Sequence, residues 1–176
     1  MVWMIVFLEV LTFGIGLIVF LRFKGAEPAS FREGQAGLAR LPALLNTVFL
    51  LTGGWLMANA MDRIRERRVS DARRQMGQAA AFGVAFLMVK GGEYAGKLGQ
   101  GLDLHHDSFH TMYWLLTGFH YLHVVVAVIL LVAMAWGLRR GQCTEEQATN
   151  IASSAVFWHL CDLIWLLLVP VIYLLP

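Results

Sequence analysis

The sequence has few charged residues. Asp, Glu, Lys and Arg make up 15% of its 176 residues, whereas about 25% is usual for a soluble globular domain. Hydrophobic residues make up 58%, and the mean hydropathy is +0.61. The formal net charge of +2 comes from arginines that flank apolar runs. This composition excludes a soluble enzyme, and it does not indicate a nucleic-acid-binding protein.

Cysteine is also scarce, and the sequence contains only Cys143 and Cys161. Cys143 lies in a polar stretch, whereas Cys161 lies inside an apolar run about nine residues, at roughly 1.5 Å each, from the nearest predicted membrane edge. A disulfide requires Cα atoms within roughly 7 Å of each other. We therefore expect two free thiols and exclude a disulfide scaffold.

Most of the apolar residues fall in long runs. Five of these runs are long enough to cross the roughly 30 Å hydrocarbon layer of a membrane as helices. We place the helices at about residues 2–21, 41–61, 76–96, 109–138 and 151–175. The sequence therefore predicts an all-α protein with a single domain over residues 1–176, an integral membrane bundle of five transmembrane helices.

The distribution of lysine and arginine predicts the orientation of this bundle, because cytoplasmic loops carry more of both residues. The second and fourth loops carry eight of them: Arg63, Arg65, Arg67, Arg68, Arg73, Arg74, Arg139 and Arg140. The opposite side carries five: Arg22, Lys24, Arg32, Arg40 and Lys97. We therefore expect the N-terminus inside and the C-terminus outside the cell.

The second loop has the highest density of positive charge, with Arg63, Arg65, Arg67 and Arg68 close together in the sequence. A basic residue near a membrane surface is attracted to anionic lipid by about 1 kcal/mol. We therefore expect these four arginines to contact phospholipid headgroups.

Ionisable residues also lie inside the predicted spans, where each costs roughly 2.5–3.5 kcal/mol to insert. They are Glu9 in the first span, Lys90 and Glu93 in the third, His120 and His123 in the fourth, and His159 and Asp162 in the fifth. Residues three apart share a helix face. One interpretation is a structural polar network that ties the helices together, formed by Glu93, His120, His123, His159 and Asp162.

Two other interpretations of these residues stay open. In the first, His120 or His123 and His159 ligate a haem or a metal, as in a stand-alone b-type cytochrome or a metal-binding membrane enzyme. In the second, the chain handles protons. Glu9 is the candidate for this role, because a desolvated carboxyl group holds its proton more readily than one in water.

At the start of the fourth predicted span and in the loop before it, His105, His106, Asp107 and His110 form a short tract of residue types that ligate metals. Short exposed tracts of this kind are usually solvated turns. We expect a turn here and no metal site.

The intramembrane polar residues stand in motifs that resemble subunit III of the haem–copper oxidases. The segment FWHLCDLIWLLLVPVIYLL, Phe157 to Leu175, resembles the last helix of that subunit. TGFHYLHVVVAVILL, Thr117 to Leu131, resembles the preceding helix, and LPALLNTVFLLTGG, Leu41 to Gly54, resembles an earlier one. Glu93-Tyr94 matches the end of the family's third core helix, and Glu9 aligns with its intramembrane carboxylate, which is associated with carbodiimide sensitivity and proton uptake.

The resemblance implies the five-helix form of the family, in a bacterial inner membrane. It implies a non-catalytic accessory subunit that stabilises the catalytic subunit I, binds phospholipid and supports proton uptake during electron transport. Haem and copper, or non-haem iron, are then expected in the partner and not in this chain. The resemblance also implies that the histidines and Asp162 are structural. It leaves open whether the complex is a cytochrome c oxidase, a quinol oxidase or a nitric-oxide-reductase-associated complex.

Overall fold

The computed structural model describes residues 2–175, and among these it contains helices and no strand. Six α-helices follow one another along the chain: α1 (Val2–Ala26), α2 (Pro28–Ala36), α3 (Arg40–Arg65), α4 (Val69–Gly99), α5 (Ser108–Gly137) and α6 (Glu145–Val169). A 3₁₀ turn, Leu138–Arg140, follows α5, and a π-helical turn, Pro170–Leu174, continues α6. The prediction of an all-helical chain is confirmed.

Each predicted span coincides with a helix, but several helices are longer than their spans. α4 begins at Val69 instead of residue 76, and α6 begins at Glu145 instead of residue 151. A hydrophobic run identifies only the part of a helix that can lie in the hydrocarbon layer. Backbone hydrogen bonds continue the helix into the polar residues on either side of the run. At α6 a capping box fixes the true start, because Thr144 and Gln147 each accept a hydrogen bond from the other's backbone N–H.

Helix α2 lies between the first two predicted spans, where we predicted no helix. Pro28 occupies the first turn of α2, where its missing N–H costs no hydrogen bond. Phe31 on this helix is fully buried against Phe20 and Phe109, with ring centroids 5.1 and 5.5 Å away. Tertiary packing of one aromatic residue therefore stabilises a nine-residue helix that has little apolar character.

Within residues 2–175, four helices are long and apolar enough to cross a membrane: α1, α3, α5, and α6 with its π-helical turn. This finding indicates a multi-pass membrane protein. Helix α4 is long enough, but charged residues such as Lys90, Glu93 and Lys97 lower its hydropathy. The fifth crossing and the orientation therefore stay predictions.

Helices α3, α4, α5 and α6 pack against one another, and α1 lies at the edge of this bundle against α5 and α6. Only Phe13 and Phe20 of α1 are fully buried. Close packing of α3 and α4 against α6 depends on small residues, because a side chain at Gly53 or Gly83 would collide with the Trp158 ring.

Side chains of α1 and α2 form hydrogen bonds with the π-helical turn and with Leu175, which follows it. Gln35 Nε2 donates hydrogen bonds to the carbonyl oxygens of Val171 (3.2 Å) and Ile172 (2.9 Å) in the π-helical turn. Lys24 Nζ donates to Gln35 Oε1 (3.2 Å) and to the carbonyl oxygen of Leu175 (2.9 Å). A helix end leaves carbonyl groups without intrahelical partners, and these two side chains supply donors for them.

Replacement of Gln35 by Ala is expected to destabilise the protein by about 1–3 kcal/mol, because buried carbonyl groups lose their donors. Thermal unfolding of the purified protein in detergent measures the change. Gln78→Ala on the exposed face of α4 is the matched control and is expected to have little effect. Equal melting temperatures for the two variants would contradict the role of Gln35.

Candidate functional site

The five residues predicted to form one polar network do not form one in the described structure. Glu93 belongs to a cluster at one end of α4, His123 contacts Glu9, and His159 contacts Asp162. His120 lies among aromatic rings without a polar partner in residues 2–175. The single network is therefore corrected to three separate polar groups and one aromatic contact.

The most deeply buried of these groups is organised around Lys90, whose side chain is 0% exposed. Lys90 Nζ donates hydrogen bonds to Glu93 Oε2 (3.0 Å), to the Tyr113 hydroxyl (2.9 Å) and to the Tyr173 hydroxyl. The two tyrosines donate in turn to Glu93 Oε1, at 2.6 and 3.1 Å. All three ammonium donors and both carboxylate oxygens are thus paired, as a buried ion pair requires.

Aromatic rings surround the same ammonium group. Lys90 Nζ lies 4.7 Å from the ring centroid of Tyr113, 4.9 Å from that of Tyr94 and 5.2 Å from that of Tyr173. Cation–π attraction at these distances offsets part of the desolvation cost of the charge. The cluster joins α4, α5 and the π-helical turn. Sequence reasoning missed Tyr113 and Tyr173 because nothing in their spacing sets them apart from ordinary core aromatics.

Glu9 and His123 bring α1 and α5 together. His123 Nε2 lies 3.1 Å from Glu9 Oε2, in an approach too oblique for an aligned hydrogen bond. The other ring nitrogen, Nδ1, lies 2.8 Å from the carbonyl oxygen of Phe119. Because a carbonyl only accepts, Nδ1 carries a proton, and an unprotonated Nε2 would face the carboxylate with its lone pair. The Phe119 carbonyl therefore orients the imidazole ring so that Nε2 faces the Glu9 carboxylate.

His120 has a different environment. It is fully buried, and its ring stacks on Trp165 at 5.3 Å and meets the edge of Phe86 at 5.8 Å. Neither ring nitrogen has a hydrogen-bond partner among the described residues. His120 packs as an aromatic residue at the centre of the bundle.

On α6, His159 and Asp162 form a contact one helical turn apart. His159 Nδ1 lies 3.4 Å from Asp162 Oδ2. Asp162 is buried, whereas the His159 side chain is 47% exposed at the outer face of the bundle. Gly54 on α3 makes room for this contact, because a side chain there would collide with the Asp162 carboxylate.

The three intramembrane histidines lie in separate environments. His120, His123 and His159 each face different neighbours, and they are not among the described residues whose ligand atoms lie close enough to hold one ion. The geometry gives no support to the stand-alone cytochrome or the metal-binding membrane enzyme.

His106, Asp107 and His110 do lie together, with potential ligand atoms within 4.8 Å of one another. Their arrangement has a structural explanation. Asp107 caps the start of α5, where its Oδ1 accepts hydrogen bonds from the His110 backbone N–H (2.7 Å) and pairs with His110 Nδ1 (2.8 Å). Burial raises the pKa of Asp107, but these two interactions with His110 outweigh it and hold the pKa below its usual value.

Three of the four arginines predicted to contact lipid headgroups are paired with acidic side chains. Arg63 and Arg68 contact Glu66 at 2.7 and 3.6 Å. Arg65 contacts Asp62 at 3.1 Å, and Arg68 also contacts Asp71 at 2.6 Å. Arg67, which has a positive φ of 59°, has no such partner in the described part of the chain. Much of the charge at this loop is therefore compensated within the protein.

The fold and its polar groups define a helical multi-pass membrane protein in which α4, α5 and the π-helical turn are joined by buried ionisable side chains. The family model described as cytochrome c oxidase subunit III matches residues 37–175. The chain belongs to this family.

Curated relatives agree with this assignment. The chain is 29% identical to the cytochrome c oxidase subunit 3 of Thermostichus vulcanus over 168 residues, which are 95% of this chain and 82% of that protein. It is 28% identical to the protein of the same name from Synechocystis sp., over 89% of this chain and 66% of the relative. For Corynebacterium diphtheriae the identity is 26%, over 86% and 74% respectively.

Replacement of Lys90 by Met is expected to lower the free energy of unfolding by about 3–5 kcal/mol, because it leaves the buried Glu93 carboxylate without its cation. A double variant that also carries Glu93→Gln is expected to lose less than the sum of the two single changes. Unfolding of the purified protein in detergent measures each value.

The control for this cycle is Arg65→Gln, which removes an exposed salt bridge and is expected to cost about 0–1 kcal/mol. Strictly additive losses in the Lys90 and Glu93 variants would show that the two residues do not act as a pair.

Asp107→Ala is expected to cost about 1 kcal/mol, because it removes the N-cap of α5. Asp107→Asn keeps an acceptor oxygen but has no charge. The native Asp107 carboxylate has a lowered pKa. Its charge therefore stabilises the folded protein at any pH above the pKa of an unfolded aspartate, about 3.9. This stabilisation is lost as the pH falls through the pKa of Asp107 in the folded protein. The melting-temperature difference between the native protein and the Asn variant should therefore shrink below pH of about 4. A difference independent of pH would contradict the charge effect.

Proposed function

We propose that this chain is the non-catalytic subunit III of a bacterial respiratory haem–copper oxidase in the inner membrane. It stabilises the catalytic subunit I, which carries the haem and copper, and it contacts membrane phospholipid. Glu9 and His123 support the uptake of protons for oxygen reduction. Membership of the subunit III family supports the accessory role.

The contact between Glu9 and His123 is the observation that supports the proposed role in proton uptake. The contact at 3.1 Å places a carboxyl group beside an imidazole, and imidazole exchanges protons near neutral pH more readily than the other common side chains. The Glu9 and His123 side chains are 21% and 12% exposed, so the pair is partly accessible at the edge of the bundle. A proton held there is available to a neighbouring chain without unfolding of the helices.

The other polar groups have structural roles in this proposal. The Lys90 cluster has its donors and acceptors paired internally, and His159 with Asp162 stabilises the approach of α6 to α3. His120 fills space in the aromatic core.

We also propose that the complex is a cytochrome c oxidase and not a quinol oxidase or a nitric-oxide-reductase-associated complex. The names of the curated relatives support this branch. Copurification tests it: the partner is expected to contain haem and copper and to oxidise reduced cytochrome c. A partner that contains haem with non-haem iron, or one that oxidises only quinol, would reject the branch.

Glu9→Gln is expected to leave the complex assembled but to slow its turnover several-fold at high pH. The amide matches the carboxyl in size but carries no exchangeable acid proton. At low pH, protons from bulk water are abundant and the variant should approach the native rate, so the deficit grows as pH rises. Oxygen consumption by the purified complex between pH 6 and 9 measures this effect.

Glu27→Gln is the control, because this glutamate lies between α1 and α2 and is exposed. It is expected to keep the native pH profile. An unchanged profile for Glu9→Gln in an assembled complex would reject the proton role, whereas loss of assembly would show that Glu9 is structural.

A further inference from the structure

We propose that His106, His110 and Glu33 bind a divalent transition-metal ion, of which Zn²⁺ fits best. Asp107 orients one of the two imidazole rings, and the ion joins α2 to the start of α5. This inference goes beyond the proposed function and does not rest on it. It differs from the sequence-based expectation, which was a turn without a metal site.

The capping role of Asp107 accounts for only part of this cluster. Its Oδ1 accepts from the backbone N–H of His110 and pairs with Nδ1 of the same residue. Because a carboxylate oxygen accepts, Nδ1 of the neutral ring carries the proton and the lone pair lies on Nε2. Nε2 has no hydrogen-bond partner among the described residues, although the His110 side chain is only 6% exposed. An imidazole held in this tautomer by a carboxylate is typical of a metal ligand.

The separation of the two histidine rings suits one ion. The ring centroids of His106 and His110 lie 5.1 Å apart, and the ring planes make an angle of 89°. Two imidazoles on one tetrahedral Zn²⁺ have centroids about 5 Å apart, since each Zn–N bond is about 2.0 Å long. His106 is exposed, and its ring forms no hydrogen bond with any residue that the structure describes. A small rotation of this side chain therefore completes the site.

Glu33 brings a carboxylate to the same place from α2. It lines a cavity of about 180 Å³ together with His106, Asp107 and His110. Its side chain is exposed and forms no salt bridge within residues 2–175. Helix α2 lies close against α5 here, because a side chain at Gly34 would collide with the ring that follows Ser108. Two imidazoles and a carboxylate form a ligand set that Zn²⁺ takes in proteins, and water can fill the fourth position.

The charges that line the cavity favour a cation. Lys97 is the one basic side chain among its described lining residues other than the histidines. Its Nζ lies 5.2 Å from the centroid of the Tyr113 ring, which attracts the ammonium group. Lys97 repels a metal ion, but the carboxylates of Glu33 and Asp107 outweigh this single positive charge.

Isothermal titration calorimetry of the full chain in detergent, after a chelator has removed metals, tests the proposal. Zn²⁺ is the probe, and Mg²⁺ is the comparison because it prefers oxygen ligands. The native chain should bind one Zn²⁺ and no detectable Mg²⁺. Asp107→Asn keeps an acceptor for the helix cap and is expected to weaken Zn²⁺ binding roughly 10–100-fold, as is usual when the partner of a ligating histidine is changed. His106→Ala should cost at least as much.

His105→Ala is the matched control. It removes an imidazole from the same exposed tract, but His105 lies outside the group whose ligand atoms come together. It should leave the affinity unchanged. Equal losses from His105→Ala and His106→Ala would overturn the proposal in favour of weak binding by an exposed histidine tract, and so would the absence of Zn²⁺ binding to the native chain.

Glu33→Gln tests whether α2 takes part. It should weaken Zn²⁺ binding several-fold. It should also reduce the rise in melting temperature that Zn²⁺ gives the native chain, because a ligand that binds only the folded state stabilises it. Glu27→Gln removes a charge at the other end of α2, away from the cavity, and should change neither value. Native affinity in Glu33→Gln would refute the link between α2 and α5.

Lys97→Gln should strengthen Zn²⁺ binding several-fold, because it removes the repulsion between the ammonium group and the ion. Misfolding does not produce a gain in affinity, so this variant separates the metal site from a general loss of structure. An affinity equal to that of the native chain would show that Zn²⁺ binds elsewhere and would overturn the proposal.

Discussion

The structure depends on a charge placed in the dry interior of a helix bundle. Lys90 is fully buried, and without Glu93 and the hydroxyls of Tyr113 and Tyr173 its desolvation would cost several kcal/mol. The cost of separating this ammonium from its partners fixes the register of α4 against α5 and against the end of α6. Hydrophobic packing alone is less specific, because lipid tails are as apolar as leucine side chains. A buried charge is fully hydrogen-bonded in only one packing arrangement of the helices, whereas apolar helix faces can pack in many arrangements of similar energy.

Much of the fold was predictable because the physical cause lies in consecutive residues. An apolar run of about 20 residues predicts a spanning helix wherever it occurs. The described structure has a helix over each of these runs, and four of its helices are long and apolar enough to span a membrane. Helix α2 was not predictable in this way, since its stability comes from contacts of Phe31 with residues far away in the sequence. The hydropathy of a nine-residue polar segment contains no sign of such contacts.

The sequence was enough to identify the ionisable residues of the site, but not to predict which side chains contact one another. Intramembrane ionisable residues are visible in the sequence, and each of them has a distinct environment in the structure. Their partners are decided by which helix faces meet, and spacing within one helix does not determine this. Spacing places His159 and Asp162 on one face of α6, where the two side chains are in contact. It failed for Glu9 and His123, which are 114 residues apart, and for Glu93, whose tyrosine partners lie on other elements.

The amide of Gln35 has a consequence for the order in which the protein is made. Its acceptor at Ile172 lies 137 residues further along the chain. During synthesis the amide therefore remains hydrated at the membrane surface until the final helix has been inserted, and only then can it leave water for the carbonyl groups of the π-helical turn. A nascent chain that stops short of this turn leaves the Gln35 amide without these acceptors, although Phe31 can already pack against Phe20 and Phe109. This contact is therefore among the last to form, and it is present only in molecules whose final turn has folded.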